Sequence, residues 1–191
     1  LLNGRSIIIT SKKSFHDEQA LYKFSRRFEI RFYNSPKEID DIIHDCDIFY
    51  SIKYGKNDNI LSKRAKNCVH CVFDLSEPHG DIYVAVSETL ARKFGKTTWV
   101  PHMIGLKPSI TKNNMRKDLN IPKEAIVFGR HGGQDTFDLL FVKKAIIKAV
   151  IDKPSLHFVF VNTPVFANHP RVHHINKIVD SDEKNRFIQT C

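Results

Sequence analysis

"IVFGRHGGQDTF", residues 126–137, decides how the rest of the chain is read. An apolar run stops at Gly129, and Arg130 and His131 follow. Gly132-Gly133 then make a turn, and Asp135 stands where an N-cap would open a helix at Thr136. A glycine-rich turn feeding a helix start offers unpaired N–H groups and the positive end of a helix dipole, which suits a phosphate. Arg130 adds a fork-shaped, charge-assisted contact. The same residue types also build an ordinary strand-to-helix connection, and the pattern alone leaves both readings open. Two common fingerprints do not fit. The spacing is G-x-x-G-G rather than G-x-G-x-x-G, and the next strand ends at Asn162 instead of an acid for a ribose. No G-K-[ST] follows, so the stretch is not a P-loop.

Outward from this stretch, strands and helices alternate. Downstream, the pattern predicts a helix over 136–151, strands over 156–161 and 172–175, and a helix from 181 onward. Immediately upstream it predicts a helical 115–119 and a strand over 125–128. Further back come a buried strand over 6–10, a helix over 14–27 capped by Ser14 with Asp17, and a strand over 28–32. Ser35-Pro36 opens a helix carrying Ile39, Ile42 and Ile43. Strands over 47–50, 68–74 and 82–86 follow, then a helix over 87–94 closed by Gly95. Trp99-Val100 is a last strand, stopped by Pro101. Alternation at this spacing means α/β units with parallel sheets. The expected organisation is two Rossmann-like parallel-sheet units in series, the second incomplete. They run 1–106 and 115–191, with a polar linker over 107–114.

The bulk properties set bounds. The chain has 191 residues, 41% hydrophobic and 27% charged, which suits a globular protein with a sizeable core. The formal net charge is +9, which favours anionic partners. The basic residues are scattered, the densest cluster being Lys63-Arg64-Ala65-Lys66, so specific nucleic-acid binding is not expected. No apolar run approaches the roughly 18–20 residues of a membrane span; peripheral membrane contact stays compatible with the charge. Residues 1–5 do not read as a signal peptide, and four cysteines in such a chain fit reduced thiols in the cytoplasm. Cys68 and Cys71 have C-x-x-C spacing, but they fall in a strand, where positions three apart face opposite ways. His169, His173 and His174 cluster without chelating geometry. No metal site is expected, and no G-x-S-x-G elbow is present.

Two further loops follow strand ends, where α/β folds place ligands. "HCVFDLSEPHGD", residues 70–81, carries Asp74, Glu77 and His79, candidates for a general base or for hydrogen bonds to hydroxyls. "IKYGKNDN", residues 52–59, offers Lys53, Tyr54 and Asn57 to a polyhydroxylated ligand. Each loop also reads as a plain solvated turn.

The run "NNMRKDLNIPKEAIVFGRHGG", with "WVPHMI" before it and "FVFVNTPVF" and "DEKNRFIQTC" after it, resembles a GT-B glycosyltransferase. The segments at 70–81 and 129–137 are similar to those of retaining-type enzymes from large viruses and some bacteria. The resemblance implies hexosyl-type transfer from a nucleotide diphosphate sugar to an acceptor hydroxyl across an interdomain cleft, without a metal or other cofactor. It puts Arg130 on the basic residue that meets the donor diphosphate, and Gly132 and Gly133 on the backbone-donor turn. It puts the acceptor near residues 74–79. The chain departs from the family in three ways. Gln134, Asp135 and Thr136 stand where a Lys is usual, Ser11-Lys12-Lys13 replaces a glycine-rich loop, and an E-x₇-E donor segment is expected only beyond Cys191. Two readings from other classes stand beside the transferase: a non-catalytic nucleotide- or phosphate-binding module, and a basic nucleic-acid-binding protein.

Overall fold

A computed structural model describes residues 4–102 and 113–191. Most of the expected linker over 107–114 lies outside these residues, as do residues 1–3 and Met103 and Ile104 of "WVPHMI". The chain divides into two compact units, Leu1–Ile104 and Gly105–Cys191. Both are α/β with parallel strands, in three small sheets. Among the described residues no helix is long and apolar enough to cross a membrane.

The first unit holds two of the sheets. Strand β1 (Ile7–Ser11) pairs with β2 (Glu29–Tyr33). Strands β3 (Ile48–Lys53), β4 (Lys66–Cys71) and β5 (Ile82–Ala85) form the second sheet in sequence order. Helix α1 (Glu18–Ser25) is shorter than expected, because the Asp17 carboxylate caps it by accepting from the Ala20 N–H; Ser14 lies before the helix. Ser35 caps a 3₁₀ turn at Pro36–Glu38, which runs into α2 (Ile39–Ile42). Helix α3 (Glu88–Lys93) starts at its Ser87 cap, and Gly95 closes it at a positive φ of 65°. Trp99 makes only an isolated bridge to Ala85 instead of a strand.

Ile7 and Ile9 pack with Ile39, Ile43 and Phe49 in one apolar cluster. Strand β1 is nevertheless half-buried throughout, not buried as expected, since its sheet has only two strands. Strand β3 likewise turns Phe49 inward and leaves Ile48, Tyr50 and Ile52 more than half exposed. A buried polar knot ties the sheet to its loops. Asn67 donates to the carbonyls of Ser62 and Ala65 and accepts from the Ser62 N–H, while Ser62 Oγ donates to Asp40. Every polar group of that Asn is used, so its burial costs little.

In the second unit β6 (Ile126–His131), β7 (Leu156–Val161) and β8 (Val172–Ile175) form one parallel sheet. Helix α4 (Leu140–Asp152) joins β6 to β7, and α5 (Ser181–Ile188) follows β8 with Asp180 as its cap. The 115–119 segment is a turn rather than a helix. One sheet face buries Val127, Val159 and Val161 with Met115, Ile121 and Phe187. The other packs Phe160 and Val172 against Ile146 and Val150 of α4. Arg116 joins the ends of this unit by donating to the carbonyls of Pro122, Lys123, Ala125 and Thr190.

Gly129 does not end its strand; β6 runs on through His131. A Cβ there would sit 2.3 Å from Cys191 Sγ and 2.8 Å from Phe187 Cζ, so this glycine lets α5 lie against the strand. Gly129→Ala is expected to destabilise the unit by about 1–3 kcal/mol, as overpacking does. Urea unfolding followed by circular dichroism checks it, and an unchanged midpoint would show that α5 is not held there.

Candidate functional site

The carboxyl ends of β3 and β4 bring two of the predicted loops together. The Tyr54 carbonyl accepts from the N–H groups of Phe73 and Asp74 at 2.9 and 3.1 Å. Gly55, at φ 132°, lies so close that a Cβ would fall 1.8 Å from the Asp74 carbonyl oxygen. Tyr83 donates its hydroxyl to the Gly55 carbonyl at 2.7 Å, and the Asn57 N–H donates to Glu77 Oε2 at 3.0 Å. Tyr54, Asn57, Asp74 and Glu77 are therefore neighbours on one rim, though 20 residues separate Asn57 from Glu77 along the chain.

Their chemistry differs from residue to residue. Asp74 accepts from both the hydroxyl and the N–H of Ser76, which holds its carboxyl below the ordinary aspartate range. It is an ionised acceptor of low basicity. His79 is buried, and its Nδ1–H donates to the Glu77 carbonyl at 2.7 Å; its Nε2 is buried and has no partner among the described residues. Lys53 is a brace, its ammonium donating to Asp58 at 2.5 Å and to the Ile60 carbonyl at 2.7 Å. Tyr54, one of the predicted loop residues, and Phe73, which sequence reasoning passed over, form a tilted aromatic pair 5.4 Å apart, each more than 60% exposed. His70, which opens the quoted stretch, is structural. Tyr50 donates to its Nδ1 and its Nε2–H donates to the Val100 carbonyl.

In the second unit Arg130 lies near the carboxyl end of β6. Its guanidinium donates to Thr163 Oγ1 at 2.7 Å and to Thr136 Oγ1 at 2.6 Å, and it stands 4.9 Å over the Phe137 ring. Both hydrogen-bond partners are neutral hydroxyls, so its charge is not cancelled by them. Gly132 lies against the guanidinium: a Cβ would fall 2.5 Å from Arg130 Nη2, so the flexible end of Arg130 would have to move aside. Among the described residues neither the Gly132 nor the Gly133 N–H has a backbone partner beyond the strand ladder. Asn162, at φ 53°, donates to the Gly132 carbonyl and holds the turn from the next strand.

The helix expected at Thr136 starts at Leu140, and Asp135 caps nothing. Thr136 instead bonds back to the Gly133 carbonyl through both its N–H and its hydroxyl, closing a turn. Phe137 then enters the cluster with Phe160 and Phe166. The helix dipole therefore begins seven residues past Gly133, and any anion there would rely on Arg130 and the loop N–H groups. Thr136 and Thr163 were not foreseen as partners. Thr163 meets Arg130 because β6 and β7 run parallel, whereas Thr136 reaches it from the turn six residues on.

The second sheet also gathers imidazoles. His157 Nδ1 and His173 Nε2 are 3.2 Å apart, and His174 packs between Phe160 and Phe166. His157 was not singled out from sequence. It shares a sheet face with His173 because the register pairs Phe158 with Val172. Among the described residues no group of three or more His, Cys, Asp or Glu could hold a metal ion. All four cysteines are free.

No protein-family model, no curated protein and no solved structure matches the chain.

Burial pushes His157, His173 and His174 below the ordinary histidine pKa, with Arg171 and Arg116 adding to the effect at His157. A depressed folded-state pKa means that the unfolded chain binds more protons as pH falls. The second unit is therefore expected to be most stable above the unfolded pKa of about 6.5 and to lose stability as pH drops below it. Urea midpoints between pH 7.5 and 5.5 check this. His174→Phe should flatten the curve, because it removes a titrating ring packed against Phe160 and Phe166.

Proposed function

We propose that the chain is a glycosyltransferase of GT-B architecture, or an ordered portion of one. In this reading the diphosphate of a nucleotide sugar meets Arg130 and the Gly132 and Gly133 N–H groups. The observation that carries it is the set of donors at the carboxyl end of β6. A guanidinium held by neutral hydroxyls stands beside the Gly132 and Gly133 N–H groups, for which no backbone partner beyond the strand ladder is found among the described residues. Cleaving the bond between the sugar's anomeric carbon and the diphosphate leaves negative charge on the departing oxygen. Fixed donors aimed at that oxygen lower the barrier. The acceptor hydroxyl forms the new bond and passes its proton to the departing diphosphate oxygen.

The rim of the first unit supports the sugar side of this reading. Tyr54 and Phe73 expose ring faces against which the C–H face of a sugar can stack, and Asp74 and Glu77 supply carboxylates that accept from hydroxyls. Lys53 and His79 shape the loops. The proposed partners are thus a nucleotide sugar and a hydroxyl-bearing acceptor, in a reducing, cytoplasmic setting consistent with free cysteines.

One observation favours a second reading, a phosphate-binding module without turnover. Asp74 is held at low basicity and the Nε2 of His79 is buried, so neither is poised as a general base. Calorimetry with ADP, GDP and UDP tests the shared part. At least one is expected to bind, and Arg130→Gln to weaken it at least tenfold, about 1.4 kcal/mol. Absence of binding by all three would overturn both readings. Release of free sugar from the matching nucleotide sugar then selects the transferase, and binding without release selects the module.

A further inference from the structure

Parallel pairing sends Arg130 to one end of the second unit's sheet and a different set of groups to the other. His157 and His173 are each the second residue of their strands. With Asn120 and Arg171 they line a cavity of about 500 Å³, whose remaining walls are Leu119, Pro122, Pro154 and Pro170. No carboxylate lines it. His157 is 4% exposed, so it is a buried polar group at the cavity wall.

The two imidazoles are arranged for proton chemistry. Their rings lie within 9° of parallel with centroids 5.5 Å apart, while the facing nitrogens are 3.2 Å apart. Each ring nitrogen lies roughly 1.1 Å from its ring centre, so the nitrogens fall on the line between centroids. This is a head-to-head N–H···N bond rather than face stacking, and it leaves no room for a metal between the rings. In either neutral tautomer the pair shows one outer N–H and one outer lone pair. Taking up one proton keeps the inner bond and turns both outer nitrogens, His157 Nε2 and His173 Nδ1, into donors. The inner nitrogens are joined to one another, and no hydrogen bond from either outer nitrogen is seen among the described residues. The other charged or titratable groups acting on the pair are Arg171, Arg116, His169 and His174, and none is an acid. Arg171 donates to the Val150 carbonyl, and its Nε–H is buried without a partner.

We propose that this cavity binds the oxyanion group of a small organic molecule on His157, His173 and Arg171, taking up one proton as it binds. The proline and leucine walls receive the apolar part of the ligand. The site is separate from Arg130 and does not depend on the glycosyltransferase reading. Burial without an acid nearby keeps the pair unprotonated near neutral pH, and a bound anion reverses that balance.

Benzoate and phenyl phosphate serve as probes, with histidine ring signals and backbone amides followed by nuclear magnetic resonance. One of them is expected to raise the apparent pKa of the His157–His173 pair and to shift amides within 119–122, 155–158 and 171–173. For benzoate, which stays ionised, affinity should rise about tenfold per pH unit lowered from 8 to 7, one proton being linked to binding. Binding of benzoate alone assigns a carboxylate ligand, and of phenyl phosphate alone a phosphate ester. Arg171→Gln should weaken binding at least tenfold, and Arg130→Gln should leave it unchanged. Because Arg171 also braces Val150, the wild-type ring titration is the deciding measurement. Ring signals unmoved by both probes, or moved equally by sodium chloride at matched ionic strength, would overturn the proposal.

Discussion

Parallel strand pairing is the constraint on which both units depend. In a parallel sheet every strand points the same way, so the loops leaving the carboxyl ends collect on one edge and those entering the amino ends on the other. In the first unit this brings residues 54–60 beside 72–81. In the second it separates Arg130, with Thr163, from His157 and His173. An antiparallel arrangement of the same strands would scatter these groups to both edges.

The glycines of the quoted stretch serve this geometry in different ways. Gly129 makes room for Phe187 and Cys191 of the segment that closes the unit, and Gly132 makes room for the guanidinium of Arg130. Neither has a positive φ, so the close neighbours and not backbone freedom are what a side chain there would meet: Phe187 and Cys191 at Gly129, and the flexible end of Arg130 at Gly132. The turn at 133–136 is closed by Thr136, and Phe137 is drawn into an aromatic cluster. The result is a charged donor set at a strand end, without the direct support of a helix terminus.

The strand at 156–161 was legible because its apolar residues are dense and β-branched or aromatic; the one at 172–175 carried a weaker signal, with two histidines between Val172 and Ile175. The N-terminal bounds of α1 and α4 were less so. Ser14 and Asp17 are both capping residue types, and only the bond from Ala20 shows which one acts. Asp135 has the composition of a cap, but Thr136 donates back to the Gly133 carbonyl and closes a turn there, and the helix starts only at Leu140. Local hydrogen bonding of this kind is settled by where the chain goes next, here by the burial of Phe137.

By itself the sequence determined the α/β class, the succession of strands and helices, the basic balance and the loops that follow strand ends. These rest on short-range periodicity and composition, which act over a few residues. Tertiary structure decided which distant residues meet. Arg130 reaches Thr163, and His157 reaches His173, through strand register. It also decided which polar groups are consumed by the fold, as Lys53 and His79 are, and which keep donors free. The physical reason is that register and burial are properties of the packed sheet, set by the side chains on both of its faces at once.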